Sequence, residues 1–258
     1  MRTDSGAAVG APGSRRLTLA AIIPLDRDPA AGDPATGGLA TGDLATGNLD
    51  RLAACLAALR SAPRRGVELE VLLVADDASP AVRSVAEAAG ARLLAADGTR
   101  GARFAAGARA ATAEWLLLLR PGTVLEAGWD ATLMVFAHDD RNRERGAVYG
   151  YRAEGTTPAA RRAETAVRFR NRWLGLPSGD QGMVFRRRFL VHLGGVPDLE
   201  RGEDLVLARR LGRGRLALFD VAAGVRPDTG MGAWVGGALR LLLFLLRVPP
   251  RWLQRLGD

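Results

Sequence analysis

Apolar runs alternate with amphipathic segments along the first half of the chain. The runs LTLAAIIPL (17–25), ELEVLLVA (68–75) and EWLLLL (114–119) have the length and composition of buried parallel strands. The segment ARLLAA (91–96) indicates a shorter strand. Because four strand–helix alternations fall within about 105 residues, this pattern predicts an α/β fold with a mostly parallel sheet and helices on both faces.

Three segments of this half have the periodicity of helices. LDRLAACLAALR (49–60) is apolar at helical spacing, and Asn48 or Asp50 is a candidate N-cap. PAVRSVAEAAG (80–90) has a proline where a first helical turn accepts one, and GARFAAGARAATA (101–113) is a helix of small residues.

The second half is less regular and carries more polar clusters. GAVYGYRA (146–153) and RLALFDVAAG (215–224) indicate strands, and GDQGMVFRR (179–187) indicates a strand with polar residues before it. RGEDLVLARRLGR (201–213) predicts an amphipathic helix. A basic helix is predicted at 158–175; it suits an anionic substrate or a membrane surface, although a solvated arginine face is the commoner meaning.

Three segments fall outside this pattern. Residues 1–16 are rich in Gly, Ala, Pro, Ser and Arg, which predicts a flexible tail. Residues 26–48 include the repeats ATGGL, ATGDL and ATGNL, a period too short for a solenoid, so we interpret them as a loop insertion into a single domain over 17–258. The apolar and basic segment 231–258 either packs over the sheet or a dimer partner, or lies in a membrane interface.

Composition limits the function classes. The formal charge is +8, but every one of the 36 basic residues is arginine and aromatic residues make up only 5%, so the sequence disfavours nucleic acid as a partner. Cys55 is the only cysteine, which excludes an intramolecular disulfide, and it lies in an apolar helix as a core thiol would. With no secretory signal visible, the expected location is the cytoplasm, with peripheral contact to the inner face of a membrane as an extension.

Three acidic clusters are candidates for chemistry. Asp76 and Asp77 follow a strand, where ligands gather in open α/β sheets, although a helix N-cap explains them equally well. Asp180 and Gln181 lie between two glycines, as in a ligand-binding loop or a plain turn. Glu203 and Asp204 begin a helix, where acids suit the helix dipole or where one of them acts as a general base. His138 and His192 lack metal-ligand spacing.

The order of these motifs resembles one known family. The segments AAIIPL, VLLVADDAS, GARFAAGA, EWLLLLRPGT, GDQGMVFRRRFLVHLGGVP and GEDLVLARRL are similar to those of family 2 glycosyltransferases, which have the GT-A fold. The resemblance covers 17 to about 255 and is most specific over 175–216, where it follows a short bacterial subgroup often found beside radical-SAM and selenoprotein-related genes. It implies transfer of a sugar from a nucleoside-diphosphate sugar to an acceptor, with inversion.

The resemblance also implies roles for individual residues. Asp76 would contact the base of the donor nucleotide, and Asp77 would lie near the ribose. Asp204, with Glu203 beside it, would deprotonate the acceptor hydroxyl. The remaining residues implied to bind substrates are Arg100, Arg103 and Arg120 for the donor, and Asp180 and Gln181 for the sugar and acceptor pocket. The acceptor stays unknown, and the C-terminal segment would suit one that is linked to a lipid.

The chain departs from the family at its metal motif. The family usually stabilises the leaving diphosphate with Mn²⁺ or Mg²⁺ held by an Asp-x-Asp-type motif, whereas this chain has Arg120, Pro121 and Gly122, with Gly122 at the metal-binding Asp position. The Asn-Glu pair usual after the first strand is replaced by DRDPAAGDPATGG (26–38).

Three interpretations of this departure remain open. Arg120 stabilises the diphosphate directly, because guanidinium pairs with phosphate oxygens. Alternatively, a metal binds through Asp77 and Asp180 or through an acid of the loop, where Asp26 or Asp28 is a candidate substitute for the missing Asn-Glu pair. In the third interpretation, the chain has lost turnover and binds a nucleotide sugar or a protein partner. A nucleotidyltransferase is disfavoured, since the segment after the first strand is acidic and lacks a glycine-rich phosphate loop.

Overall fold

The structure is a computed structural model that describes residues 16–25, 46–61 and 66–226. Its strands are β1 (Leu17–Pro24), β2 (Val67–Ala75), β3 (Arg92–Ala95), β4 (Trp115–Leu118), β5 (Val124–Leu125), β6 (Gly146–Ala153), β7 (Met183–Arg186) and β8 (Leu216–Val225). Its helices are α1 (Thr46–Ser61), α2 (Pro80–Ala88), α3 (Arg100–Ala110), α4 (Trp129–His138), α5 (Pro158–Phe169), α6 (Arg187–His192) and α7 (Glu203–Leu211).

The strands form one sheet in the order β3-β2-β1-β4-β7-β6-β8-β5. The ladders are parallel from β3 through β2 and β1 to β4, and again between β6 and β8. β7 runs antiparallel to both β4 and β6, and β5 runs antiparallel to β8. The predicted α/β architecture with a largely parallel sheet is therefore confirmed, and β7 is the strand that reverses direction at its centre.

Helices cover both faces of the sheet, as predicted. Leu19, Ala21 and Ile23 of β1 belong to a buried cluster that includes side chains of α1, α2 and α4. The alternate residues Ala20 and Ile22 belong to a second buried cluster with side chains of α3, α6 and α7. Successive side chains of a strand point to opposite faces, so a run without polar residues is what a strand covered on both sides requires.

Several details differ from the sequence-based predictions. α1 begins at Thr46, so Asn48 and Asp50 lie inside the helix and neither is its N-cap, because the helix extends into the last residues of the repeat segment. The basic helix ends at Phe169 and continues as a π-helical turn, Arg170–Leu174, in place of regular α-helix. The elements β5, α4 and α6 were not predicted at all.

Other predictions concern packing or lie outside the described part. Cys55 is buried, and burial raises the pKa of its thiol to about 12, which confirms its place in the core. The N-terminal tail (1–15), most of the insertion (26–45) and the segment 231–258 lie outside the described residues, and the single domain over 17–258 stays a prediction. Among the described helices, none has the length and apolar character needed to span a bilayer.

One close backbone contact fixes the segment that leads into α7. The N–H of Gly101, in the first turn of α3, donates to the carbonyl of Leu199 at 3.0 Å. A Cβ atom at Gly101 would lie 1.9 Å from the carbonyl oxygen of Pro197 and 2.8 Å from the amide nitrogen of Leu199. Only glycine permits this approach, since both neighbours are backbone atoms.

We expect the substitution Gly101→Ala to lower the free energy of unfolding by roughly 1–3 kcal/mol, because the methyl group forces α3 away from the 197–199 segment. Urea denaturation of the purified protein measures this change. Gly214→Ala is the matched control, since no atom lies within 4 Å of its Cβ position. Equal stability of the two variants would contradict the tight contact.

Candidate functional site

Residues from three distant segments meet at the carboxyl edge of β4. Arg120 follows β4, one residue beyond Leu119. Because β7 pairs antiparallel with β4, with Leu118 opposite Met183, the residues just before β7 lie at the same edge as those just after β4. Asp180 is thereby brought to Arg120 across 60 positions of sequence.

The guanidinium of Arg120 lies among three carboxylates. Its Nη1 donates to Asp180 Oδ1 at 3.1 Å and its Nη2 to Glu203 Oε1 at 3.3 Å. Its Nη2 also lies 3.8 Å from Asp204 Oδ2. Burial alone would lower the pKa of Arg120, but the three carboxylates outweigh it and raise that pKa further. Arg120 therefore stays charged, and it is the central cation of the site.

The turn Gly179–Gln181 is shaped to receive Arg120 on one side and α7 on the other. The Gly179 N–H donates to Asp204 Oδ2 at 2.7 Å. A Cβ atom at Gly179 would lie 2.6 to 2.8 Å from three atoms of the Arg120 guanidinium group, so a side chain here would displace it. Ser178 Oγ donates to Asp180 Oδ2 at 2.9 Å and orients that carboxylate.

Asp180 is held in its charged form by these contacts. Burial raises the pKa of its carboxyl, but the field and hydrogen bond of Arg120, together with the hydrogen bond from Ser178, more than compensate. The pKa of Asp180 therefore lies below its ordinary value.

Gln181 supports the turn from inside the protein. Its side chain is fully buried, with Nε2 donating to the Tyr149 carbonyl at 2.6 Å. Its Oε1 accepts from the Ser178 N–H at 2.9 Å and from Asn171 Nδ2 at 3.2 Å. These bonds engage both ends of the amide. Gln181 therefore supports the turn that carries Asp180, and its contact with substrate stays a prediction.

Glu203 and Asp204 begin α7 but have different surroundings. The side chain of Glu203 is 3% exposed and that of Asp204 is 12% exposed, so Asp204 is the more accessible carboxylate. Burial raises the pKa of Glu203, Arg120 opposes this rise, and the neighbouring charge of Asp204 adds to it. Arg100 Nη1 lies 4.0 Å from Glu203 Oε1, which adds a second guanidinium to the cluster.

The other predicted donor-site residues have partners outside the Arg120 cluster. Asp76 is half-buried directly after β2, and Asp77 is exposed and pairs with Arg83 of α2 at 3.2 Å. Arg103 is buried, and its Nη1 donates to the Leu25 carbonyl at 2.5 Å, at the end of β1. The structure thus brings Arg100 into the cluster and gives Arg103 a backbone partner.

A further arginine contacts the loop that follows β4. Gly122 has a φ of +84°, and its carbonyl accepts a hydrogen bond from Arg51 Nη2 of α1. Arg51 Nη1 pairs with Glu154 Oε2 at 2.5 Å. No sequence pattern singles out Arg51, because nothing in an apolar-periodic helix distinguishes it from the other arginines. It was identified only from its contact with a loop 71 positions away.

The residues of this cluster do not fit a divalent metal. Asp180, Glu203 and Asp204 face Arg120. Position 122, where the resemblance predicts a metal ligand, is a glycine. Within 16–25, 46–61 and 66–226, no group of three or more His, Cys, Asp or Glu side chains could hold a metal ion. Arg170, whose pKa burial lowers, interacts favourably with Asp204 and Asp180. Guanidinium groups thus supply the positive charge that these carboxylates require.

The comparisons with known proteins establish the fold. The chain is similar to glucosyl-3-phosphoglycerate synthase from Mycobacterium tuberculosis in complex with Mn²⁺ and uridine-diphosphate-glucose, with a TM-score of 0.57 and 15% identity over 90% of this chain and 80% of that chain. It is similar to mannosyl-3-phosphoglycerate synthase from Rubrobacter xylanophilus, with a TM-score of 0.57 and 15% identity over 91% of this chain and 77% of that one.

A third similar structure is larger. TarS from S. aureus matches with a TM-score of 0.59 and 11% identity, over 87% of this chain and 39% of that chain. No protein-family model and no curated protein sequence matches this chain. The likeness confirms the predicted GT-A fold, which this chain shares with these glycosyltransferases.

We expect the substitution Glu203→Gln to stabilise the protein increasingly as the pH rises. The pKa of Glu203 is raised above its usual value of 4.5 in the folded state, so its contribution to stability is full below 4.5 and is lost as the pH rises through the folded-state pKa. Glutamine cannot ionise, so the free energy of unfolding of Glu203→Gln does not fall in this pH range as that of the wild type does.

Urea denaturation of wild type and variant at a series of pH values from acid to neutral measures the difference. Glu114→Gln is the matched control, since Glu114 pairs with Arg186 at the surface. A difference between wild type and Glu203→Gln that stays constant or shrinks with rising pH would contradict the raised pKa.

Proposed function

We propose that this protein is a glycosyltransferase that moves a sugar from a nucleoside-diphosphate sugar to an acceptor hydroxyl, and that Arg120 replaces the metal ion in this reaction. The observation that supports it is the position of the Arg120 guanidinium, at the carboxyl edge of β4 and bonded to Asp180 and Glu203. Solved structures with this fold hold Mn²⁺ and uridine-diphosphate-glucose.

In the proposed reaction, the acceptor oxygen attacks the anomeric carbon of the donor sugar. The new carbon–oxygen bond forms as the bond from that carbon to the diphosphate breaks, which inverts the configuration. Asp204 accepts the proton of the acceptor hydroxyl, because it is the more exposed of the two carboxylates at the start of α7.

Arg120 would stabilise the charge that develops on the leaving diphosphate. A guanidinium has five N–H donors, and the two bonds to Asp180 and Glu203 leave others unused. About a quarter of the side chain remains open, at 23% exposure. Arg100, with its guanidinium near the same carboxylates, would add a second positive charge.

A second candidate function is binding of a nucleotide sugar without turnover. The observation that favours it is the hydrogen bond from the Gly179 N–H to Asp204 Oδ2, together with the nearby Arg120. Both contacts are made by Asp204 Oδ2, so the protein itself already engages the oxygen that a general base would use. The two candidates share the donor site and differ in what Asp204 does.

We expect UDP or GDP to bind without added Mn²⁺, and we expect Arg120→Met to weaken that binding by roughly 10- to 100-fold, the value of a charged hydrogen bond. Isothermal titration calorimetry with and without Mn²⁺ measures both effects. Arg120→Lys keeps the charge but loses the planar fork, so it should bind with intermediate affinity.

Arg143→Met is the matched control for this titration, since Arg143 pairs with Asp140 at the surface. Circular dichroism shows whether Arg120→Met is folded, and Arg120→Lys decides the question if it is not. Binding that requires Mn²⁺, or that is the same in Arg120→Lys and wild type, would overturn the role of Arg120. Absence of nucleotide binding under every condition would remove the donor site itself.

We expect Asp204→Asn to keep nucleotide binding and to lower the rate of donor cleavage by about 10²- to 10⁴-fold, the usual contribution of a general base. Because the acceptor is unknown, the assay follows release of UDP or GDP from nucleotide sugars, with water as acceptor. Asp220→Asn, at an exposed position of β8, is the matched control. Nucleotide binding without any donor cleavage in the wild type would favour the binding function.

A further inference from the structure

An exposed surface next to the site combines two aromatic rings with four arginines. It consists of Phe169, Trp173, Arg161, Arg162, Arg168 and Arg172, on α5 and the π-helical turn that follows, and we call it the aromatic–arginine surface. Phe169 is 57% exposed and Trp173 is 59% exposed. Exposed rings of this size normally have a partner in solution.

The two rings lie side by side on the outer face of this segment. Their centroids are 6.4 Å apart and their planes are inclined by 35°, so they form one apolar area. Ala160, Val167 and Asn171 are the buried residues of the same segment. The sequence thus separates an inner face, which packs on the protein, from an outer face that ends in aromatic rings.

The charge around the rings is uniformly positive. All four arginines of the surface are exposed, and none of them forms an ion pair within the parts of the chain that the structure describes. Glu164, the acidic residue of α5, is half-buried and accepts a hydrogen bond from the Ala153 N–H at 2.9 Å. Among the described residues, the outer face therefore presents positive charge that no ion pair neutralises.

The aromatic–arginine surface is linked directly to the candidate site. Asn171, in the same turn as Trp173, donates to Gln181 at 3.2 Å. Arg170 donates to the carbonyls of Leu176 and Pro177 at 3.2 and 3.1 Å. These bonds connect the surface to the loop that carries Asp180.

We propose that the aromatic–arginine surface docks the protein on a membrane that contains anionic lipid. Tryptophan and phenylalanine insert at the boundary between headgroups and acyl chains, while arginine side chains reach the phosphate groups. The rings lie on the convex outer side of a helical segment. A convex surface suits contact with a flat membrane, whereas a peptide partner would need a groove. Two rings beside each other are also few for a platform that stacks single-stranded nucleic acid.

This docking does not depend on transferase activity, and its assay detects vesicle binding alone. If the proposed function also holds, docking would bring the site to an acceptor in the membrane, because the Asp180 loop is bonded to the docking segment. The class of acceptor that follows is a hydroxyl on a lipid-linked molecule.

The test is co-sedimentation of the full chain with vesicles of phosphatidylcholine alone and of phosphatidylcholine with phosphatidylglycerol. We expect binding only with phosphatidylglycerol. The double variant Arg168→Gln/Arg172→Gln should bind roughly fivefold more weakly for each arginine removed. In the wild type, part of the vesicle binding should persist at high salt, because salt screens the arginine–phosphate attraction but not the insertion of the rings. The variant Phe169→Ser/Trp173→Ser should lose this salt-resistant part.

The matched control replaces an exposed apolar residue and two exposed arginines elsewhere, as Val191→Ser with Arg187→Gln and Arg188→Gln on α6. We expect this variant to bind vesicles as the wild type does. A second comparison variant, Arg240→Gln/Arg247→Gln, reports on the segment 231–258.

Four outcomes would overturn the proposal. The first is no binding to anionic vesicles, and the second is equal loss in the α6 control, which would indicate a general effect of net charge. The third is loss only in Arg240→Gln/Arg247→Gln, which would make the C-terminal segment the anchor. Binding to single-stranded RNA in place of vesicles would also overturn it, in favour of nucleic acid.

Discussion

The guanidinium of Arg120 connects the segments that build the candidate site. It bonds to Asp180, which precedes β7, and to Glu203, which begins α7, while Arg120 itself follows β4. Carboxylates brought this close in a buried place repel each other and lose hydration, and a cation among them offsets both effects. Gly179 lies against the same group and leaves no room for a side chain. The three segments therefore keep their spacing because one side chain contacts all of them.

An arginine in this position gives the site properties that differ from those of a metal site. A guanidinium is attached covalently, is charged at every accessible pH and offers donors in a fixed plane. A metal ion exchanges with solvent and changes its ligands as the reaction proceeds. In an arginine-based site, the field at the leaving group is set when the protein folds, and it does not vary with the supply of metal. Compared with a metal ion, the guanidinium can bind fewer arrangements of phosphate oxygens, because its donors lie in a fixed plane.

The sequence predicted the sheet well because its buried strands are long apolar runs. β1, β4 and the second half of β2 were found because residues covered on both faces have no polar alternation to confuse the pattern. β5 was missed because a strand of two residues has no periodicity. α4 was missed because its N-cap residue is Gly128, which has a positive φ and no side chain that could cap the helix. Tertiary contacts define both elements.

The candidate site was predicted residue by residue but not as an arrangement. Asp180, Glu203, Asp204 and Arg120 were all named from the resemblance, and the structure brings them together. Their mutual contacts depend on β7 reversing direction, which no local pattern shows. The same limit applies to Arg51, whose importance comes from a loop far away in sequence, and to the burial of Gln181 against Tyr149.

The contact between Arg51 and Gly122 also bears on how such a site can change during evolution. A Cβ atom at Gly122 would lie 3.1 Å from Arg51 Nε. The carboxylate of an aspartate introduced there would therefore pair with the Arg51 guanidinium and would not be free to bind a metal ion. A single substitution therefore creates a new ion pair and no metal ligand. A metal site at this place would require changes in α1, at Gly122 and at Arg120 together. Loss of Arg120 alone would leave Asp180 and Glu203 without their cation, so that intermediate is disfavoured and the arginine is held in place by its neighbours.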